Sequence, residues 1–255
     1  MTSFFTNAFN VILYQPLLNS LILLYEYLPG HDFGVAVIVL TLAIRLILHP
    51  LSLKSIKSQK ALSSLQPKIK EIQEKYKNNK EEQAKQLMVL YKEKKINPFS
   101  GCLPLLIQLP ILIALYRVFW VGFQEIKTNL LYGFVANPGT INTSFLGIID
   151  LAEPNVVLAV LAGVLQFFQA RMIFSQETGK SKKGDKKQNI AAQMQKQTQY
   201  LMPVFTVIIL FRLPAAIGLY WVVTTLFTIV QQYFIFKKTT NISSKNESKQ
   251  FVRNK

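Results

Sequence analysis

Apolar residues in this chain are gathered into long blocks rather than spread evenly. Runs at 33–53, 103–123, 156–173 and 215–236 are each close to the roughly 20 residues that a helix needs to cross a bilayer. A shorter run at 200–210 is followed by Arg212 and Pro214, so 200–236 reads as a tight helical hairpin whose turn lies near one membrane surface. The pattern predicts an all-α polytopic membrane protein with five transmembrane helices, at 33–53, 100–124, 155–174, 200–212 and 214–236. A further apolar stretch, 9–28, is interrupted by Gln15, Pro16, Asn19 and Glu26. Those interruptions favour an amphipathic helix at the interface, within a segment 1–32, over an additional span.

Between the first two spans the character of the chain changes. Leu62, Leu65, Ile69, Ile72 and Tyr76 recur at steps of three and four, and after the polar KNNK turn Ala84, Leu87, Met88 and Tyr91 do the same. Two such stripes joined by a short connection predict an antiparallel helical hairpin over 54–99. Pro67 marks a kink in its first helix or that helix's true start, because proline removes a backbone donor.

Charge orients these blocks. The net charge is +16, and segments 54–100, 174–199 and 237–255 hold 24 of the 29 lysines and arginines. Residues 1–32 hold none, and Lys127 is the single basic residue in 123–155. The positive-inside rule then places the hairpin, the loop 175–199 and the tail 237–255 in the cytoplasm, and 1–32 and 125–154 outside. The loop KSKKGDKK (180–187) and the tail are polar and poor in large apolar residues, which predicts segments without fixed structure. Their charge is compatible with contacts to ribosomal RNA or anionic lipids.

Little in the chain speaks for catalysis. Cys102 stands alone among two histidines, so neither an internal disulfide nor a metal site is expected. No GxxxxGK[ST] phosphate loop and no basic n-region of a secretory signal are present. No cofactor is implied, and the chain reads as something other than an enzyme.

One residue inside the apolar blocks demands an explanation. Arg45 lies in TLAIRLILHP (41–50), about eight residues, or roughly 12 Å of helix, from the cytoplasmic end of the 33–53 span. An arginine at the bilayer centre costs about 2.5–3.5 kcal/mol on insertion scales, so it needs a partner or water. All Asp and Glu residues lie outside the spans, which leaves Thr41, Gln108, Gln166, Gln169, Thr224, Thr225 and Gln231 as neutral partners. These groups suggest a hydrated groove around one fixed positive charge. The alternative is an anchor that snorkels to the head groups; for Arg117 and Arg171, nearer span ends, that is the better reading.

Several stretches together resemble the YidC family of membrane protein insertases: YQPLLNSL (14–21), TLAIRLILHPL (41–51), LQPKIKEIQEKYK (65–77), LYKEKKINPFSGCLPLLIQLPILIALY (90–116) and LPAAIGLYWVVTTLFTIVQQYF (213–234). The resemblance covers nearly the whole chain, from about Tyr14 to Phe236, in the family's order. It implies five transmembrane helices around a hydrophilic groove that contains Arg45, and a cytoplasmic helical hairpin. It also implies the bacterial plasma membrane as location, with the C-terminus cytoplasmic. The implied partners are nascent membrane proteins, the ribosome and the Sec translocon. By the same resemblance Thr41 and Trp221 match positions on the substrate-facing side. A large outer domain and a lipobox cysteine, found in other members, have no counterpart here, which suggests a minimal form. The competing readings are an anion channel or transporter using Arg45 as its ion site, and a scaffold that only holds spans together.

Overall fold

The computed structural model describes residues 2–97, 103–122, 128–174 and 190–253. The basic stretch 180–187, Cys102 and Lys127 lie outside them. Helices α1 (Thr2–Phe9) and α2 (Gln15–Tyr27) are joined by a π-helical turn, Asn10–Tyr14. Pro16, in the first turn of α2, has no N–H to return to the preceding turn, and a widened turn accommodates its ring.

Helix α3 (Phe33–Ile47) starts at an Asp32 cap, whose Oδ1 accepts from the Val35 N–H at 3.0 Å. It stops at Leu48, and α4 (His49–Ser64) leaves at 68° to it with Pro50 in its first turn. The run 33–53 is therefore not one straight rod, because Pro50 cannot continue the hydrogen-bond ladder of α3. Helices α5 (Gln66–Lys75, with Pro67 in its first turn) and α6 (Lys80–Glu93) follow. They pack around Leu65, Ile69 and Leu90, while Met88, from the predicted stripe, is exposed. Burial in this small core pushes the Tyr91 phenol above its ordinary pKa.

The remaining helices are α7 (Leu103–Gly122), α8 (Val156–Phe174), α9 (Ile190–Leu210) and α10 (Ala215–Arg253). A 3-10 turn (Thr128–Leu130) and an antiparallel pair of short strands, β1 (Ser144–Phe145) and β2 (Ile149–Asp150), lie between α7 and α8. The tail differs from its expected lack of structure: with no glycine or proline after Gly218 to interrupt it, α10 continues as helix to Arg253. The expected α9–α10 hairpin is also loosely joined. Both helices pack extensively on α8 and touch each other little. Gly163 allows this, since a Cβ there would lie 2.3 Å from Val207 Cγ2 and 3.2 Å from the Pro203 carbonyl oxygen of α9.

The main core joins Leu18, Ile22, Phe33, Val37, Leu115, Phe119, Leu151, Ile217 and Tyr220. Contacts sort into two ends. At one end Phe33 meets Phe119 edge-on, Asp32 Oδ2 accepts from the Leu146 N–H at 2.7 Å, and the Ala216 N–H donates to the Leu151 carbonyl at 3.0 Å. The same end holds α2, whose buried Asn19 donates to the Leu130 carbonyl and accepts from the Tyr132 N–H. At the other end Ser63 Oγ donates to the Ile173 carbonyl, and the Lys60 ammonium lies over the Phe236 ring.

Among the described residues three helical stretches are long and apolar enough to cross a membrane: Phe4–Tyr27, Val156–Ile173 and Ala215–Lys237. The bent pair Phe33–Ile47 with His49–Ser64 makes a fourth if counted as one span. Leu106–Trp120 and Gln199–Leu210 are shorter apolar helices. The molecule is thus an all-α polytopic membrane protein, with one small strand pair among the described residues. Among the described residues this measure gives three or four candidate spans where the sequence reading has five, and they include the N-terminal stretch which that reading placed at the interface.

Candidate functional site

Arg45 falls in the last turn of α3, so the bend at Leu48 shortens the depth that an unbroken 33–53 helix would give it. A cation at a helix C-terminus faces unpaired carbonyls and the negative end of the helix dipole, which favours its charge. Its side chain bridges two further helices. Nε donates to Thr224 Oγ1 of α10 at 3.3 Å, and Nη2 donates to Gln108 Oε1 of α7 at 3.1 Å. Gln108 Nε2 in turn donates to the Tyr220 hydroxyl at 2.6 Å. The partners are neutral groups, so the positive charge is hydrogen-bonded without being cancelled.

These groups border a cavity of about 290 Å³ beneath the α3–α4 bend. Of the residues singled out from sequence, Arg45, Gln108, Gln166, Gln169 and Trp221 line it, as do Thr224 and Thr225. Thr41 is not part of the lining: it is buried one turn earlier, with its hydroxyl donating to the Val37 carbonyl at 2.6 Å. Gln231 is also turned elsewhere. Its Oε1 accepts from Ser52 Oγ at 2.9 Å and its Nε2 donates to His49 Nδ1, which ties α10 to the start of α4.

The cavity has a second wall that sequence reasoning missed: Ser52, Ser55 and Gln59 of α4, together with Thr228 and Gln232 of α10. A signal was present. Trp221, Thr224, Thr225, Thr228 and Gln232 recur at steps of three and four, the spacing of one helix face, and Ser52, Ser55 and Gln59 do likewise. Gln232 is fully buried with neither amide atom hydrogen-bonded within the protein, and Gln166 Oε1 is in the same position. Buried amides of this kind draw water wherever there is room for it. None of the described lining residues is acidic. The site therefore offers one uncancelled cation and a wall of uncharged donors and acceptors. Among the described residues no cluster of His, Cys, Asp or Glu could hold a metal ion.

Most of this sequence matches known proteins. The profile of the 60Kd inner membrane protein family matches residues 23–243. The membrane protein insertase YidC of Clostridium tetani is 40% identical over 203 residues, covering 80% of this chain and 81% of that protein. The insertase YidC of Fusobacterium nucleatum subsp. nucleatum is 36% identical over 207 residues, 81% of this chain and 87% of its own length. A longer relative, the insertase YidC of Geobacter metallireducens, is 32% identical over 236 residues, which make up 92% of this chain and 38% of that protein. With matches of this extent, this chain belongs to the 60Kd inner membrane protein family, that of the YidC membrane protein insertases.

Proposed function

We propose that this chain is a non-enzymatic membrane protein insertase of the bacterial membrane, and that the Arg45 cavity is where the polar part of a nascent membrane protein is received. The observation that carries the reading is an arginine among apolar helices whose partners are neutral, Gln108 and Thr224, beside buried amides that water can solvate. A charge so placed attracts an acidic or polar segment and holds water within the apolar layer. The hydrocarbon path such a segment must cross is shortened.

The energetics run downhill once that barrier is lowered. A 20-residue apolar span gains roughly 6–12 kcal/mol in the bilayer at about 0.3–0.6 kcal/mol per residue, whereas one aspartate or lysine at its centre costs about 2.5–3.5 kcal/mol. The client's own apolar segment supplies the driving force as it leaves sideways into lipid. The bend between α3 and α4, tied to α10 through His49, Ser52 and Gln231, keeps the α4 wall of the cavity in place.

In this reading α3, α7, α8, α9 and α10 are the five spans. Helices α1 and α2 lie at the outer surface, supported by the contacts of Asn19 and Tyr25 with the 130–142 segment. The helical hairpin α5–α6 and the end of α10 are cytoplasmic, supported by their lysines. That basic side suits the ribosome and anionic lipids as partners, with the Sec translocon as a second source of clients. The relatives above are all named insertases, and none of them an anion channel or transporter.

The test is reconstitution of the purified full-length chain in phospholipid vesicles with a small single-span client carrying an acidic translocated end. Protection of that end from added protease should rise well above the level in protein-free vesicles. Equal protection with and without the chain would remove the insertase reading.

A further inference from the structure

The turn between β1 and β2 carries apolar residues that the core does not take up. Leu146 and Ile148 are 64% and 82% exposed, whereas Leu151, a few residues on, is fully buried. Leu146 and Gly147 have φ of 53° and 69°, and the Ile148 N–H donates to the Phe145 carbonyl at 3.0 Å. Left-handed backbone at both central residues is the pattern of a type I′ turn, where asparagine and glycine are at ease and a leucine is strained. Burial within the protein does little to offset that strain at a residue so exposed. Strain of this kind persists where the surroundings hold it in place, and it marks positions put to use.

The turn is held firmly, and its anchors set its depth. The Leu146 N–H donates to Asp32 Oδ2 at 2.7 Å, and Phe145 packs on Gly34 so closely that a Cβ there would overlap its ring. Beyond β2 the Ala216 N–H donates to the Leu151 carbonyl at 3.0 Å. Gly34 and Ala216 each stand second in a helix of the candidate spans. The hairpin therefore lies across the ends of two helices that enter the bilayer, not above them. Leu158 of α8 lies against Gly218 of α10, so Val156 and Val157, which open α8 with exposed side chains, stand at the same end. The apolar surface that hydrocarbon covers thus begins level with the turn. Residues 128–155 include Asp150 and Glu153 but no lysine or arginine, so attraction to lipid here is apolar, without pairing to phosphate.

We infer that Leu146 and Ile148 are a membrane anchor: they insert among the lipid head groups at this end of the bundle and reach the start of the acyl chains. Removal of both side chains from water offsets the strain at Leu146. Through Asp32 and Gly34 the anchor bears on the first turn of α3, the helix that carries Arg45, and so steadies the depth of that charge. Neither the choice of leaflet nor the handling of clients enters the inference.

The experiment is fluorescence quenching on the full-length chain in phosphatidylcholine nanodiscs, which leave both faces open to solution. In a Cys102→Ser background Ile148→Cys carries a nitrobenzoxadiazole label, and Lys80→Cys, an exposed position that opens α6, is the aqueous reference. Lipid spin-labelled near the top of its acyl chain should quench the label at 148 and spare the one at 80, and aqueous iodide should do the reverse. Leu146→Asn suits the left-handed backbone and so keeps the turn, yet it should restore iodide access at 148 because half of the apolar tip is gone. Circular dichroism checks the fold of each chain, and if Ile148→Cys fails to fold, Leu146→Cys takes its place for the two quenchers. Iodide quenching at 148 equal to that at 80 overturns the inference. So does shielding from iodide and spin-labelled lipid together, which would put a second copy or another protein on the turn. Protection at 148 that Leu146→Asn leaves unchanged also overturns it.

Discussion

Replacing Asn19 by leucine should loosen the 130–142 segment without disturbing the cavity. Asn19 is 1% exposed, donates to the Leu130 carbonyl at 3.1 Å and accepts from the Tyr132 N–H at 2.8 Å. Leucine has a similar size but leaves both backbone groups without this partner, at about 1–3 kcal/mol each. Burial of the leucine side chain returns about 1.5–3 kcal/mol. The net loss is therefore about 2 kcal/mol, or roughly a thirtyfold shift in the local opening equilibrium. Amide hydrogen exchange on the full chain in lipid nanodiscs reads this directly. Peptides covering 130–132 should exchange roughly thirtyfold faster while those of α8 and α10 keep their rates. Tyr25→Phe, which removes a single hydrogen bond to the Asn142 N–H at 3.0 Å, should have a smaller effect at 142. Unchanged exchange at 130–132 in Asn19→Leu would refute the idea that this side chain holds the 130–142 segment on α2.

Two further outcomes are expected. Gly163→Val should lower the thermal midpoint of the purified protein, because its Cβ would sit 2.3 Å from Val207 Cγ2 and 3.2 Å from the Pro203 carbonyl oxygen, an overpacking cost of about 1–3 kcal/mol. Gly218→Ala, whose nearest neighbour is Leu158 Cβ at 3.3 Å, should lower it less, and equal losses would contradict the close α8–α9 packing. In a Cys102→Ser background, single cysteines at Lys80, Lys183 and Lys249 should react only from the cytoplasmic side and one at Asn142 only from outside. Outward labelling at position 80 would overturn the orientation.

Much of the helical layout was legible because apolar blocks and basic blocks alternate, and both follow from what a bilayer tolerates. The His49–Pro50 dipeptide even carries the break between α3 and α4 inside the apolar run 33–53. The polar wall was only half visible. Gln108, Gln166 and Gln169 stood out as amides in apolar runs, but Ser52, Ser55 and Gln59 are interleaved with Lys54, Lys57 and Lys60, where polar residues attract no notice. Nor could residue type separate Thr41 from Thr224: the first turns its hydroxyl back to Val37 and the second reaches Arg45, a difference set by which helix lies alongside. Neighbours Gln231 and Gln232 divide in the same way, one binding Ser52 and His49 and the other bordering the cavity. The β1–β2 pair and the sharing of α8 by α9 and α10 depend on contacts distant in sequence, which periodicity does not encode.

The account stands or falls on the charge of Arg45 as a receiver of client segments. Wild-type, Arg45→Lys and Arg45→Ala chains should be reconstituted at equal abundance and tested with two clients that differ only in whether the translocated end is acidic. A lysine retains the positive point charge and loses the planar fork, whereas alanine removes the charge and leaves Gln108 Oε1 and Thr224 Oγ1 without their donor. Arg45→Lys should keep much of the insertion of both clients, and Arg45→Ala should lose the acidic client while the uncharged one suffers less. Acidic clients inserting at the wild-type rate in both folded variants would contradict the account and leave Arg45 as a membrane anchor.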